Sequence, residues 1–151
     1  QVIALARSQQ LPILLVKVGF SANYLECPLN SPLFGKAKEL QALKLNTWGT
    51  EFHKNLAVQP SDPVIIKHRV SAFYATDLEP FLRANQVQRL ILLGVSTEMA
   101  VQTTAREAHD RDYLVTVVAD ACGSSSMETH QSTLKELERI ATITTANDLR
   151  F

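Results

Sequence analysis

Two short segments hold the residue types that could carry a reaction. Val64-Ile65-Ile66-Lys67 sets a lysine at the end of an apolar run, where it either points from the strand end into a cleft or is an ordinary surface lysine at a strand terminus. In the second, an apolar run from Leu90 ends in Gly94-Val95 and opens into Ser96-Thr97-Glu98-Met99-Ala100. A helix that starts at such a turn offers unpaired backbone N–H groups and a partial positive charge to an anion.

Both segments need elements to hold them. Leu90 to Asp120 reads as strand, turn, helix and strand. In open α/β sheets ligands collect outside the carboxyl ends of parallel strands, which puts Val95 to Ala100 at the reactive edge. Upstream, Val2 to Gln10 reads as helix, closed by Pro12, and Ile13 to Phe20 as a strand. From Ser21 to Pro63 the text is irregular and proline-rich, with one short helix around Glu51 to Asn55. A segment this long without regular structure is a candidate lid or oligomer contact.

The alternation then becomes regular. Strands are expected at Val64 to His68, Arg89 to Val95, Leu114 to Ala119 and Ala141 to Thr145. Helices are expected at Asp77 to Gln86, Thr97 to Asp112 and Ser126 to Ile140, with a helical turn after Asn147. Thr76, Thr97 and Ser126 stand where N-caps belong. Strands separated by helices make a parallel sheet.

The motifs also carry a resemblance. Gly94-Val95-Ser96-Thr97-Glu98-Met99-Ala100-Val101 with Thr104-Ala105-Arg106-Glu107-Ala108 resembles the signature of the isochorismatase-like cysteine hydrolase superfamily, roughly G-V-[AS]-T-x-x-C-V-x-x-T-A-x-x-A. Lys67, with Ser71-Ala72-Phe73 and Thr76-Asp77-Leu78 behind it, is similar to a second block whose lysine is catalytic. Asp120-Ala121-Cys122, Ser126 and His130 resemble a third. The resemblance implies a three-layer α/β/α sandwich around a parallel sheet in the order 3-2-1-4-5-6, with a pocket at the strand ends near Lys67 and Val95. It implies substrate contacts from Phe73, Val95, Ser96 and Thr97, and a cis peptide at Val95-Ser96 where an ordinary turn would be trans.

Two family features have no counterpart. The nucleophilic cysteine falls on Ala100, which cannot form a covalent intermediate. An engineered trap, a natural member without thiol chemistry and a degenerate non-enzyme all fit that residue. The family's catalytic aspartate ends its first strand in a segment like V-I-D-x-Q, and Gln1 to Gln10 reads as the helix after that strand. Five strands of six can be counted, and losing a central one would orphan two rows of backbone groups. The expectation is therefore a single domain over residues 1–151 that is N-terminally incomplete, a fragment of a longer polypeptide.

Other candidates have plainer readings. Cys122 follows the wrong strand for a nucleophile and reads as a partly buried structural thiol, and Cys27 as an incidental one. His53, His68, His109 and His130 show no metal-ligand spacing, so neither a metal nor a cofactor is expected. His130 reads as capping or packing the last long helix. Trp48, Phe73 and Tyr74 could wall a pocket, with core packing the simpler account for at least one. Arg106, Glu107, Asp110 and Arg111 read as exposed i,i+4 partners.

Composition fits a small ligand. Lysine plus arginine equals aspartate plus glutamate at 15 each, which leaves no net field for nucleic acid or an anionic membrane. Hydrophobic residues make up 46% and no apolar run approaches the ~20 residues of a membrane span. The expectation is a cytoplasmic small-molecule hydrolase acting on an amide-type C–N bond or a vinyl ether, homo-oligomeric through the long loop and the helix after Ala100. The competing expectation is a non-catalytic member that binds a ligand or protein.

Overall fold

The computed structural model describes residues 1–151, in two compact units: Ile3–Arg69, and Gln1–Val2 with Val70–Phe151. Five strands form two wholly parallel sheets accompanied by helices.

In the unit Ile3–Arg69, helix α1 (Val2–Ser8) precedes β1 (Leu15–Val18), which pairs with β2 (Val64–Lys67) in the register Leu15↔Val64 to Val18↔Lys67. The helix is stopped two residues past its end by Gln10, which adopts φ 57°, and the Leu11 amide turns back to the Ala6 carbonyl oxygen at 3.0 Å. This left-handed stop usually uses glycine. Arg7 anchors the same helix by a 2.7 Å ion pair to Asp62, just before β2.

The segment Ser21 to Pro63 proves to be organised around one ring. Phe20 is fully buried, with Tyr24, Phe34 and His68 rings 5.7–6.0 Å from it. Its amide and carbonyl bond Leu43 and Leu45, so the loop folds back on the end of β1. The helix expected around Glu51 to Asn55 is absent. A single 3-10 turn at Trp48–Thr50 replaces it, and the Thr47 and Thr50 hydroxyls bond the Lys44 carbonyl oxygen. Threonine hydroxyls that bond nearby carbonyls compete with helix propagation.

In the other unit β3 (Arg89–Val95), β4 (Leu114–Gly123) and β5 (Thr142–Thr144) pair in that order. The neighbours β1 with β2, and β3 with β4 with β5, are those the expected strand order requires. Helices α2 (Leu78–Ala84), α3 (Gln102–His109) and α4 (Met127–Leu137) connect or follow them. On the turn into α3 and along it, Val101, Thr104, Ala105 and Ala108 recur at helical spacing and are buried, so one narrow stripe faces the core. Ala105 and Ala108 are fully inaccessible, as are Val117 and Val118 of β4.

Three expectations change in detail. The helix Thr97 to Asp112 is two pieces, because Thr97–Val101 is a π-helical turn closed by the Val101 amide on the Ser96 carbonyl oxygen at 3.1 Å. Strand Leu114 to Ala119 runs on to Gly123, because Cys122 and Gly123 rejoin β3 opposite Gly94 and Val95 after an irregularity between Leu92 and Gly94. Thr97 is not an N-cap: Ser96 occupies that position, and the Thr97 side chain is buried and bonded elsewhere. Ser126 caps α4 as expected, accepting from the Thr129 amide at 3.1 Å. Thr76 acts one residue early, accepting from the Leu78 amide at 3.2 Å.

Candidate functional site

Lys67 is the last residue of β2, where alternation along the strand turns it and Ile65 inward. It is only 7% exposed, and burial pushes its ammonium below the usual lysine range. Its Nζ donates to the Arg69 carbonyl oxygen at 3.0 Å. Arg69 in turn donates to the carbonyl oxygens of His68 at 2.7 Å and Glu26 at 3.0 Å.

The Glu26 carboxylate takes the Ser21 amide at 3.1 Å and hydroxyl at 2.8 Å. Its own amide, then the Ser21 hydroxyl, hold it below the ordinary carboxylate range. His68 Nδ1 lies 2.6 Å from the Gly19 carbonyl oxygen, so Nδ1 is the donor. The carboxyl ends of β1 and β2 thus carry two cationic side chains held by backbone oxygens. Sequence reading singled out Lys67 here and missed Ser21, Glu26 and Arg69, which meet only through the fold of the loop.

The second element is the turn at the end of β3. Gly94 has φ +126°, the Val95–Ser96 peptide is cis, and the π turn follows at once. Val95 is 79% exposed, whereas Thr97 is fully buried. Thr97 Oγ1 donates to the Gly123 carbonyl oxygen at 3.0 Å and lies 2.9 Å from His130 Nδ1, in the first turn of α4. Ala100 is a half-buried residue inside the π turn, so its methyl group occupies the position that the resemblance gives to a thiol.

Glu98 sits in the same turn. Its own amide, then the Ser124 hydroxyl and the Ser125 amide, hold its carboxyl below the ordinary range. Its Oε2 and the Ser124 Oγ are both buried. A carboxylate here complements the positive end of the π turn.

Other candidates settle into structural surroundings. Phe73 is 4% exposed, with its ring 6.0 Å from Tyr113 and under the Arg111 guanidinium at 4.8 Å. It belongs to the core, whereas Tyr74 is more than half exposed and Trp48 almost fully so. Cys122 is a partly buried thiol that burial pushes up, against the needs of a nucleophile. Cys27 is buried, its thiol 3.3 Å from the Phe34 carbonyl oxygen. Glu107 and Arg111 form the expected i,i+4 pair at 3.0 Å.

A cavity of about 740 Å³ lies at the other end of the three-stranded sheet, lined by Arg89, Tyr113, Leu114, Arg139, Thr142 and Arg150 among others. It is remote from the Val95 turn, at the strands' amino ends. No helix is long and apolar enough to cross a membrane.

Comparison with known proteins gives consistent matches. The family model for the isochorismatase domain matches residues 1–148. An uncharacterised isochorismatase family protein of Escherichia coli O157:H7, YecD, is 33% identical over 147 residues, covering 95% of this chain and 74% of that protein. The ureidoacrylate amidohydrolase RutB of Methylobacterium radiotolerans is 30% identical over 149 residues, covering 90% of this chain and 58% of that protein. The chain therefore spans little more than half the length of that amidohydrolase. Among solved structures, an isochorismatase family protein from Burkholderia thailandensis superposes with a TM-score of 0.86 at 28% identity, covering 98% of this chain and 76% of that one.

Proposed function

The chain belongs to the isochorismatase family, a family of hydrolases, and from that premise we propose that it hydrolyses a small molecule at an amide-type C–N bond or a vinyl ether without a cysteine nucleophile on residues 1–151. The observation that carries this reading is the turn after β3: a strand end running into a helical start, with the Ala100 methyl where a thiol would attack.

Roles follow from the chemistry of each group. With a methyl at position 100 no thioester forms, so water attacks directly and a general acid assists the leaving group. For a vinyl ether, the acid protonates the terminal alkene carbon, water adds to the oxocarbenium carbon, and the resulting hemiketal loses a proton and breaks its C–O bond. The products are a carbonyl compound and an alcohol. The acid in the family pattern is an aspartate that has no counterpart in these residues. In amide hydrolysis, where negative charge grows on the carbonyl oxygen, Lys67 supplies the stabilising cation and backbone N–H groups of the Thr97–Ala100 turn act on the oxyanion. Val95 and Ser96 contact the substrate, while buried Thr97 supports the turn that carries them.

The amidohydrolase name of one relative supports the C–N bond, and Ala100 supports the vinyl ether, which needs no covalent adduct. Ala100 also favours a second reading, a member that binds a small ligand or a protein without turning it over. Exposed leucines along the long loop, Leu25, Leu29, Leu33 and Leu40, support its use as a homo-oligomer contact.

The deciding experiment screens the full chain and its A100C variant against vinyl ethers and amides. Turnover by the unmodified chain is the expected result. Gain of amide turnover in A100C, with an acyl adduct visible by intact mass, would mark a lost nucleophile. Tight ligand retention without turnover in either form would replace the hydrolase by a binder.

A further inference from the structure

Thr97 has one hydroxyl proton and two neighbours. Its Oγ1 lies 3.0 Å from the Gly123 carbonyl oxygen and 2.9 Å from His130 Nδ1. A carbonyl oxygen can only accept, so the Thr97 proton belongs to Gly123. The proton in the second contact must then sit on Nδ1 of His130. The reverse tautomer would pull the threonine proton toward the imidazole and take it from the Gly123 carbonyl.

The three residues sit on three elements. Thr97 opens the turn after β3, Gly123 ends β4, and His130 is in the first turn of α4, which Ser126 caps. Register pairs Gly94↔Cys122 and Val95↔Gly123 already bring the strand ends together beneath this point. Thr97 is fully buried, so water cannot substitute for a lost partner without opening the core.

We propose that His130 is a positioning residue: as an Nδ1–H donor it fixes the Thr97 hydroxyl, and through it the Ser96–Val101 turn, on the end of β4. Its catalytic consequence rests on the hydrolase reading above, whereas the hydrogen-bond geometry does not.

The test separates the two. The full chain, labelled with ¹⁵N-histidine, is examined by long-range ¹H–¹⁵N correlation, with His130 assigned through its variants. A protonated Nδ1 is expected, and a neutral ring protonated only at Nε2 overturns the proposal whether or not any substrate is found. Two variants then read out positioning. In H130N the side-chain amide nitrogen falls near the place of Nδ1 and can still donate to Thr97, whereas in H130Q it reaches toward Nε2. Amide exchange across Thr97–Val101 is expected to accelerate about tenfold in H130Q, the effect of losing one such hydrogen bond, and to return toward the native rate in H130N. Equal exchange in the two variants overturns the proposal. With a substrate in hand, kcat should follow the same order at nearly unchanged KM. Absent turnover in every form alongside the expected tautomer and exchange pattern would reject the hydrolase reading and leave the positioning intact.

Discussion

The Lys67 ammonium donates to the carbonyl oxygen of Arg69 at 3.0 Å, two residues along the chain. A buried cation is thus tied to the backbone that follows its own strand, which fixes where the charge points.

Replacing Lys67 by Met keeps the apolar stem and removes the charge. Turnover is expected to fall by about 10²–10³, the range for losing one group that acts on developing charge. The variant also has a pH signature. Burial lowers the Lys67 pKa below 10.5, so the folded protein releases this proton before the unfolded chain does. The cost of burying the cation is present in full below the folded pKa and is relieved as pH rises from there to 10.5. Denaturant unfolding in that window should show wild-type stability gaining on K67M, and a constant difference would contradict the buried cation.

Gly94 to Ala tests the backbone that launches the turn. A Cβ there meets nothing within 4 Å, yet φ is +126°, a conformation L-residues avoid. The loss should be about 1 kcal/mol or more, arising from the backbone alone. Urea titration of G94A checks it, and an unchanged midpoint would show that the turn relaxes freely.

Glu98 predicts behaviour in acid. Its carboxyl pKa is lowered from 4.5, so its contribution to stability is complete above 4.5 and disappears as pH falls through the folded value. The E98Q variant lacks this dependence. The stability difference between wild type and E98Q should therefore shrink as pH drops below 4.5, and a difference independent of pH would remove Glu98 from the account.

Phe73 to Ala distinguishes a core ring from a pocket wall. Deleting a buried phenylalanine costs about 3–5 kcal/mol. That loss, seen in chemical unfolding, is expected because the ring is buried and packs against Tyr113 and Arg111. A raised KM with unchanged stability would return Phe73 to direct substrate contact.

Periodicity made the second half of the chain legible. Val101, Thr104, Ala105 and Ala108 announce a buried stripe, and Val115, Val117 and Val118 a strand covered by packing. Helix ends were harder to read, because Gln10, Gln86 and Asp112 take the left-handed positions where glycine would have been the signal. The long loop was unreadable for a related reason: its order comes from Phe20 collecting Tyr24, Phe34 and His68, contacts that no local pattern encodes. At the candidate site, Lys67 and the Val95–Ala100 turn stand out as motif and spacing. Thr97 looks like a cap because threonine before a helix usually is one, while its real partners lie 26 and 33 residues away.

Val2 shares an apolar cluster with Val118, Ala146 and Leu149, and the Gln1 side chain meets Asn147 at 2.6 Å. A ribosome releases residue 2 long before residue 149, so this cluster can close only after the chain has been synthesised through residue 149. Until then Val2 and its β4 partner Val118 await company, exposed to chaperones and to other nascent chains.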